Sequence, residues 1–257
     1  MVFLHGGPGA GCKSSHRQFF HAEKYRSVLY DQRGAGKSRP FGGVEANTIQ
    51  HLVADLEALR EHLAIKKWVL FGGSWGAALA LYYAQTHPER VLGIVLRGTF
   101  LARRRDVDWF FNEGANRLLP RAWNEFQQVI GKPKDTVAHL HEVVFGEDET
   151  AAMNYARAWM RWSGEVVTFA IDTVGAESEE PIATVLAKTR LELHYAKNGY
   201  FMRENQLLED VSLLPSVPIH IVHGQRDLTC TPDSAWSLHQ ALPDSEIKIL
   251  RTAGHLS

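Results

Sequence analysis

Ser74 stands at the centre of Gly72-Gly73-Ser74-Trp75-Gly76, directly after the apolar run Trp68-Val69-Leu70-Phe71 and directly before Ala77-Ala78-Leu79-Ala80-Leu81. That arrangement predicts a strand, a sharp turn and a helix, with the serine hydroxyl at the apex. The turn holds the serine backbone in a strained conformation, tolerable only where the positions two before and two after carry no side chain. At a helix N-terminus the Oγ sits where partial positive charge favours a developing anion. A serine hydroxyl is a weak nucleophile until a neutral imidazole takes its proton, and the imidazole needs a carboxylate to fix its tautomer and stabilise its cation. The downstream sequence offers both. Ile219-His220-Ile221-Val222 reads as a strand running into His223-Gly224-Gln225-Arg226-Asp227, and Ile247-Lys248-Ile249-Leu250 as another, followed by Ala253-Gly254-His255. Asp227 and His255 are therefore the expected acid and base, each on a loop after a strand. The competing reading of Asp227 is a turn or N-cap aspartate before Thr229 and Pro232. That of His255 is a loop histidine near a chain end.

Such chemistry also needs two N–H donors for the oxyanion. Val2-Phe3-Leu4 reads as a short buried strand entering His5-Gly6-Gly7-Pro8-Gly9, a loop whose backbone must approach something closely. In an α/β-hydrolase fold this loop supplies one donor, here assigned to Gly7, and the residue after the nucleophile, Trp75, supplies the other. The string Gly34-Ala35-Gly36-Lys37-Ser38 invites a phosphate-loop reading but fails on spacing, because Asp31 occupies the place of the first glycine. Asp31 and Arg33 are expected to make a hydrogen-bonded loop beside the oxyanion turn. No cofactor is implied, and no metal either, since His5, His16 and His21 lie near one another without paired acids.

The elements that must position these groups follow an alternating pattern. Strand signals alternate with helical ones up to Phe100, including a strand over Val28-Leu29-Tyr30, a helix opened by Asn47 with Gln50, and a strand from Val91 to Leu96; alternation resumes near Val217. The pattern predicts a mainly parallel sheet with an inserted helical lobe. Residues 1–100 and 211–257 form the catalytic core and residues 101–210 a cap rich in Trp, Phe and charge, with a loop around Asp172 to Pro181. A length of 257 residues at 45% hydrophobic content suits one such domain. A net charge of −1 gives no electrostatic case for nucleic acid or an anionic membrane. No apolar run approaches the roughly 18 residues of a membrane span, and the opening Met1-Val2-Phe3-Leu4 lacks the features of a signal peptide. The two cysteines, Cys12 and Cys230, supply no disulfide framework, so a cytoplasmic setting is expected.

With these residues in place, the chain resembles the proline iminopeptidase family of α/β-hydrolase serine peptidases. The resemblance rests on His5-Gly6-Gly7-Pro8-Gly9, Asp31-Gln32-Arg33-Gly34-Ala35-Gly36-Lys37-Ser38, Gly72-Gly73-Ser74-Trp75-Gly76, Leu96-Arg97-Gly98-Thr99-Phe100, Asp106 to Gly114 and the Gln206-Leu207-Leu208 region, and covers essentially the whole chain. It implies release of an N-terminal residue, preferably proline, from short peptides. It also implies that elements preceding the first strand and following His255 are missing here, so that a sheet edge and face would lie uncovered. A free N-terminal amine is largely protonated at neutral pH, so a site that requires it must supply buried negative charge. The resemblance assigns Glu192 to that role. Glu165 is its expected partner only if the helix register adjusts, because Ser163 and Gly164 separate it from Trp162. Arg97, Phe100, Phe110 and Cys230 fall where the family lines its proline pocket; for the two phenylalanines core packing is the competing reading, and Cys230 is expected as a small buried hydrophobe. Two rival functions remain open at this level: a broad-specificity esterase or amidase on the same triad, and a non-catalytic protein that keeps the fold.

Overall fold

The computed structural model describes residues 1–171 and 180–256. In chain order the elements are β1 (Val2–Leu4), β2 (Val28–Leu29), α1 (Ile49–His62), β3 (Trp68–Ser74), α2 (Trp75–Thr86), β4 (Val91–Thr99), α3 (Arg104–Phe111), α4 (Pro120–Ile130), α5 (Thr136–Val144), α6 (Glu149–Val167), α7 (Ile182–Lys197), α8 (Gln206–Glu209), β5 (Ile219–Gly224), α9 (Pro232–Ala241) and β6 (Glu246–Leu250). The strands form one sheet in the order β2-β1-β3-β4-β5-β6, every pairing parallel. Parallel neighbours require crossovers, and helices supply them, so the central strands are covered on both faces. This is why β3 and β4 read as near-continuous apolar runs. The helix α2 is buried along almost its whole length, with Trp75, Leu79, Leu81 and Tyr83 fully enclosed.

Between β4 and β5 the alternation stops and α3 to α7 follow one another, as the sequence predicts. Their apolar faces meet through aromatic rings: Phe111 stacks on Trp159 at 4.4 Å between centroids, and Trp123 meets Trp162 at 4.9 Å. The loop expected around Asp172 to Pro181 lies, over residues 172–179, outside the described residues.

One helix start differs from the sequence reading. The N-cap of α1 is Thr48, whose Oγ1 accepts from the His51 N–H, not Asn47. Asn47 is buried and its amide is spent elsewhere: Nδ2 donates to the carbonyls of Arg33 (3.1 Å) and Gly43 (2.9 Å), and Oδ1 accepts from Tyr195 Oη (2.8 Å). Gln50 likewise reaches away from the helix end, to the carbonyl of Phe201.

Candidate active site

Ser74 is the last residue of β3 and its backbone is left-handed, φ 57° and ψ −125°. The flanking glycines are steric necessities: a Cβ on Gly72 would overlap the Gly76 carbonyl, and one on Gly76 would overlap the Leu4 carbonyl. The serine is thereby lifted over the C-terminal end of the parallel sheet and faces a cavity of about 350 Å³.

His255 and Asp227 reach the same place from two loops. The His255 Nδ1 lies 2.8 Å and 3.0 Å from the two carboxylate oxygens of Asp227, with 8% and 3% of the two residues exposed. Burial alone would raise the Asp227 pKa, but the charge and hydrogen bond of His255, the nearby His223 and the Cys230 N–H outweigh it and hold the carboxyl below its ordinary range. Its Oδ1 also accepts from the N–H groups of Thr229 (3.0 Å) and Cys230 (2.9 Å), the geometry of an Asx turn. The turn-aspartate reading and the acid reading therefore coexist in one residue. The second histidine here, His223, has both ring nitrogens occupied: Nδ1 accepts from the Thr99 N–H at 3.0 Å, and Nε2 donates to the Cys230 carbonyl at 2.7 Å. Burial lowers its pKa and keeps it neutral. With Nδ1–H of His255 directed at Asp227, its Nε2 is left as the free base on the cavity side. Arg97 Nη1 donates to the His255 carbonyl at 2.7 Å and anchors that loop.

The loop after β1 closes over Ser74. A Cβ on Gly6 would lie 3.1 Å from Ser74 Cβ, and Gly7, left-handed at φ 112°, lines the cavity with Ser74 and His255. Asp31 organises the neighbouring turn by accepting from the N–H groups of Cys12 (2.6 Å) and Lys37 (2.8 Å). Arg33 turns outward to a bidentate pair with Asp55 of α1, at 2.5 and 2.8 Å.

Of the expected pocket residues, Glu192, Arg97, Phe100, Phe110 and Cys230 all line the cavity. Glu192 is half-buried on α7 and accepts from Trp159 Nε1 at 2.6 Å. Burial pushes its pKa up to about 7, against the opposing pull of that hydrogen bond and of Lys188. Cys230 Sγ lies 3.9 Å from Ser74 Oγ, and burial raises the thiol well above its ordinary value, so it stays a neutral wall atom. Glu165 is the exception. The cavity face of α6 carries Met160, Ser163, Gly164 and Val167, whereas Glu165, one step beyond Gly164 and so about 100° around the helix, sits against Arg161 and Trp162 near α4. The register does not bring it to the site.

Asp106 and Tyr200 are among the wall residues to which the sequence reading gave no role. Asp106 faces the cavity while its carboxylate is held by Arg103 (2.9 and 2.8 Å), both side chains buried; the advance signals were its place at the start of the Asp106 to Gly114 motif and the i, i+3 spacing of the pair. Tyr200 adopts φ 54° in an irregular turn, and its ring packs edge-on to Phe100 at 5.1 Å. Nothing periodic announced it.

The comparisons with known proteins agree with this geometry. A family model described as the alpha/beta hydrolase fold matches residues 1–257. A proline iminopeptidase of Xylella fastidiosa is 45% identical over 258 residues, 99% of this chain and 82% of that protein. One of Arabidopsis thaliana is 44% identical over 259 residues, 99% of this chain and 68% of that protein. This chain belongs to the proline iminopeptidase family of α/β hydrolases. The match to the family extends through the helices between β4 and β5 as well as the sheet, since it leaves out only about one residue in a hundred. A solved esterase from Rhodococcus superposes with a TM-score of 0.63 over 99% of this chain and 82% of its own, at 20% identity, which establishes the fold alone. Among the described residues no group of three or more His, Cys, Asp or Glu side chains is placed to hold a metal ion, and no helix is long and apolar enough to cross a membrane.

Proposed function

We infer that this chain is a prolyl aminopeptidase that cleaves proline from the N-terminus of short peptides by acyl transfer through Ser74. The observation that carries the reading is Glu192: a carboxylate in the wall of a cavity that also contains the serine, the imidazole, the oxyanion loop and the rings of Phe100, Phe110 and Tyr200, the other wall carboxylate, Asp106, being held by Arg103. Residues 1–100 and 211–257 serve as the catalytic core, and the helices of residues 101–210 as a cap that supplies specificity.

In this mechanism His255 Nε2 takes the Ser74 Oγ proton as Oγ attacks the prolyl carbonyl. The negative charge on the carbonyl oxygen falls to the N–H groups of Gly7 and Trp75. The imidazolium, stabilised by Asp227, then returns its proton to the departing amine of the second residue, leaving a prolyl ester on Ser74. Water activated by the same imidazole hydrolyses that ester. Glu192 pairs with the substrate's secondary ammonium, and Phe100, Phe110 and Cys230 receive the pyrrolidine ring. Arg97 acts one step back, by fixing the His255 backbone. Cys12 and Cys230, both free thiols, fit a reducing cytoplasmic setting.

The test is a kinetic panel of arylamides bearing different N-terminal residues, with N-acetylproline arylamide as the control. Proline arylamide is expected to dominate the panel and its acetylated form to be refractory, because acetylation removes the charge that Glu192 pairs with. Equal turnover of both forms would make the enzyme a general esterase or amidase instead.

A further inference from the structure

Gln32 is 2% exposed, belongs to none of the groups assigned a chemical role above, and, beside the turn bond its carbonyl accepts from the Ala35 N–H at 2.9 Å, makes three hydrogen bonds that end on the oxyanion machinery. Its Nε2 donates to the His5 carbonyl at 2.9 Å, its Oε1 accepts from Trp75 Nε1 at 2.9 Å, and its backbone N–H donates to His5 Nε2 at 3.0 Å. The last bond settles the His5 tautomer. Because Nε2 accepts, Nδ1 carries the proton and donates to the Gly6 carbonyl at 2.9 Å. Burial lowers the His5 pKa to about 4, so this neutral tautomer persists through the neutral range.

The consequence lies in the peptide unit between Gly6 and Gly7. A planar trans peptide directs its N–H opposite to its C=O. Holding the Gly6 oxygen, which His5 does from one side and the Ala10 N–H does at 3.3 Å, therefore aims the Gly7 N–H. The other donor belongs to Trp75, whose indole is tied to the same Gln32 amide. One side chain thus joins the loop after β1 to the first residue of α2 across the end of the sheet.

We propose that Gln32 is a positioning residue that fixes the separation and direction of the Gly7 and Trp75 N–H groups, and so sets how well the site holds a tetrahedral oxyanion. The proposal rests on the serine-hydrolase reading above. Oxyanion donors act only on the charge that develops in the transition state, so misaligning them lowers kcat and leaves ground-state binding alone.

The experiment compares wild type with Gln32→Met, which keeps the length and loses the amide, and Gln32→Glu, which keeps the Trp75 acceptor and loses the donor to His5. Four quantities are read: kcat and KM on proline arylamide, and the Ki of a proline boronic acid, which forms a stable tetrahedral adduct with Ser74, against the Ki of prolinamide, which competes as a ground-state amide. For Gln32→Met, kcat is expected to fall about 30- to 300-fold, approaching the loss of one oxyanion donor, with the boronate Ki rising by a similar factor. KM and the prolinamide Ki are expected to move less than about threefold, the signature of a transition-state effect. Gln32→Glu is expected to show the same split with a smaller loss. A merely structural role would lower the melting temperature and leave kcat and the boronate-to-prolinamide ratio within threefold of wild type; that result, in whichever variant folds, overturns the proposal. If both variants fail to fold, Trp75→Phe, which keeps an aromatic ring against Tyr195 and Tyr200 and removes the indole N–H that the amide accepts from, is read by the same ratio. Wild type that neither cleaves proline arylamide nor binds the boronate more tightly than prolinamide would instead overturn the serine-hydrolase reading itself.

Discussion

At the scale of single residues, the proposed mechanism divides the site into groups that act as a unit and groups that act on substrate charge. Ser74→Ala and His255→Ala are expected to lower kcat by about the same factor, on the order of 10⁶, because neither works without the other. Asp227→Asn is expected to cost about 10⁴, by leaving the imidazole in the wrong tautomer; here it also breaks the pairing with the buried His255 Nδ1. Steady-state kinetics with fluorophosphonate labelling of Ser74 checks all three, and a variant within tenfold of wild type refutes that assignment. Glu192 is tested by pH. Its pKa of about 7 in the free enzyme means that the ionised form, the one that pairs with an ammonium, grows in as pH rises through neutrality. The ratio of kcat/KM on proline arylamide to kcat/KM on a small neutral ester cancels the imidazole that both substrates need. That ratio is expected to rise through about pH 7 and to fall again as the substrate amine loses its proton near pH 8. In Glu192→Gln it should drop roughly 30-fold or more and lose its rising limb. The gathering of Ser74, Asp227 and His255 at one cavity was legible in the sequence because each is announced by backbone chemistry: an elbow of glycines, or a loop directly after an apolar strand. Glu165 was misplaced because helix phase decides which way a side chain points, and one residue of phase moves it off the cavity face. Asp106 was legible only as the first residue of a motif, because neither that motif nor its spacing from Arg103 says that it faces the cavity, and Tyr200 was not legible because it lies in a turn without periodicity.

At the scale of elements, the question is what holds the helix that carries Glu192 over the sheet. His194 and Tyr195, on the next turn positions of α7, both bond to Asn47: His194 Nε2 donates to its carbonyl at 2.8 Å and Tyr195 Oη to its amide oxygen at 2.8 Å. Asn47 in turn holds the carbonyls of Arg33 and Gly43 in the loop beside the oxyanion turn. It is the joint between α7 and the core. Replacing it by Ala leaves buried partners unpaired, so Asn47→Ala is expected to lower stability by about 2–4 kcal/mol. It should also raise KM for proline arylamide severalfold, since Glu192 sits only two residues from His194. The adjacent Thr48→Ala removes a helix cap together with the hydroxyl's bond to the His51 ring, both local to the start of α1, and is expected to cost about 1 kcal/mol with unchanged kinetics. Urea unfolding beside steady-state kinetics separates the two; similar KM values in both variants would show that α7 is held independently of Asn47. The same pair explains the misread helix start. Asn and Thr are both good caps, and sequence alone cannot show that the asparagine is committed to residues almost 150 positions away.

At the scale of the whole molecule, two glutamates pull the pH dependence of stability in opposite directions. Glu57 bonds bidentately to Arg60 at 2.9 and 2.7 Å and accepts from Tyr83, and these contacts, the Arg60 hydrogen bonds foremost, lower its pKa to about 2. The unfolded state then binds more protons than the folded state between about pH 2 and 4.5, so the contribution of Glu57 is complete above that window and lost as pH falls through it. Glu192 has the reverse sign. Its folded pKa of about 7 stands above the ordinary 4.5, so between those values the folded state binds more protons than the unfolded one, and stability falls as pH rises. Above pH 7 the fold carries the full cost of an ionised carboxylate in a partly apolar cavity, up to about 3 kcal/mol from the size of the shift. That cost is what a substrate ammonium would relieve on the proposed reading, in which Glu192 is a site where function is held at the expense of stability. Glu192→Gln is therefore expected to be more stable than wild type at pH 8 and indistinguishable from it at pH 4, even as it loses aminopeptidase activity. Urea midpoints for the two proteins at both pH values check this. A variant that gains nothing at pH 8 would mean that the carboxylate is solvated through the open cavity, and that its selectivity for a charged amine must come from position alone.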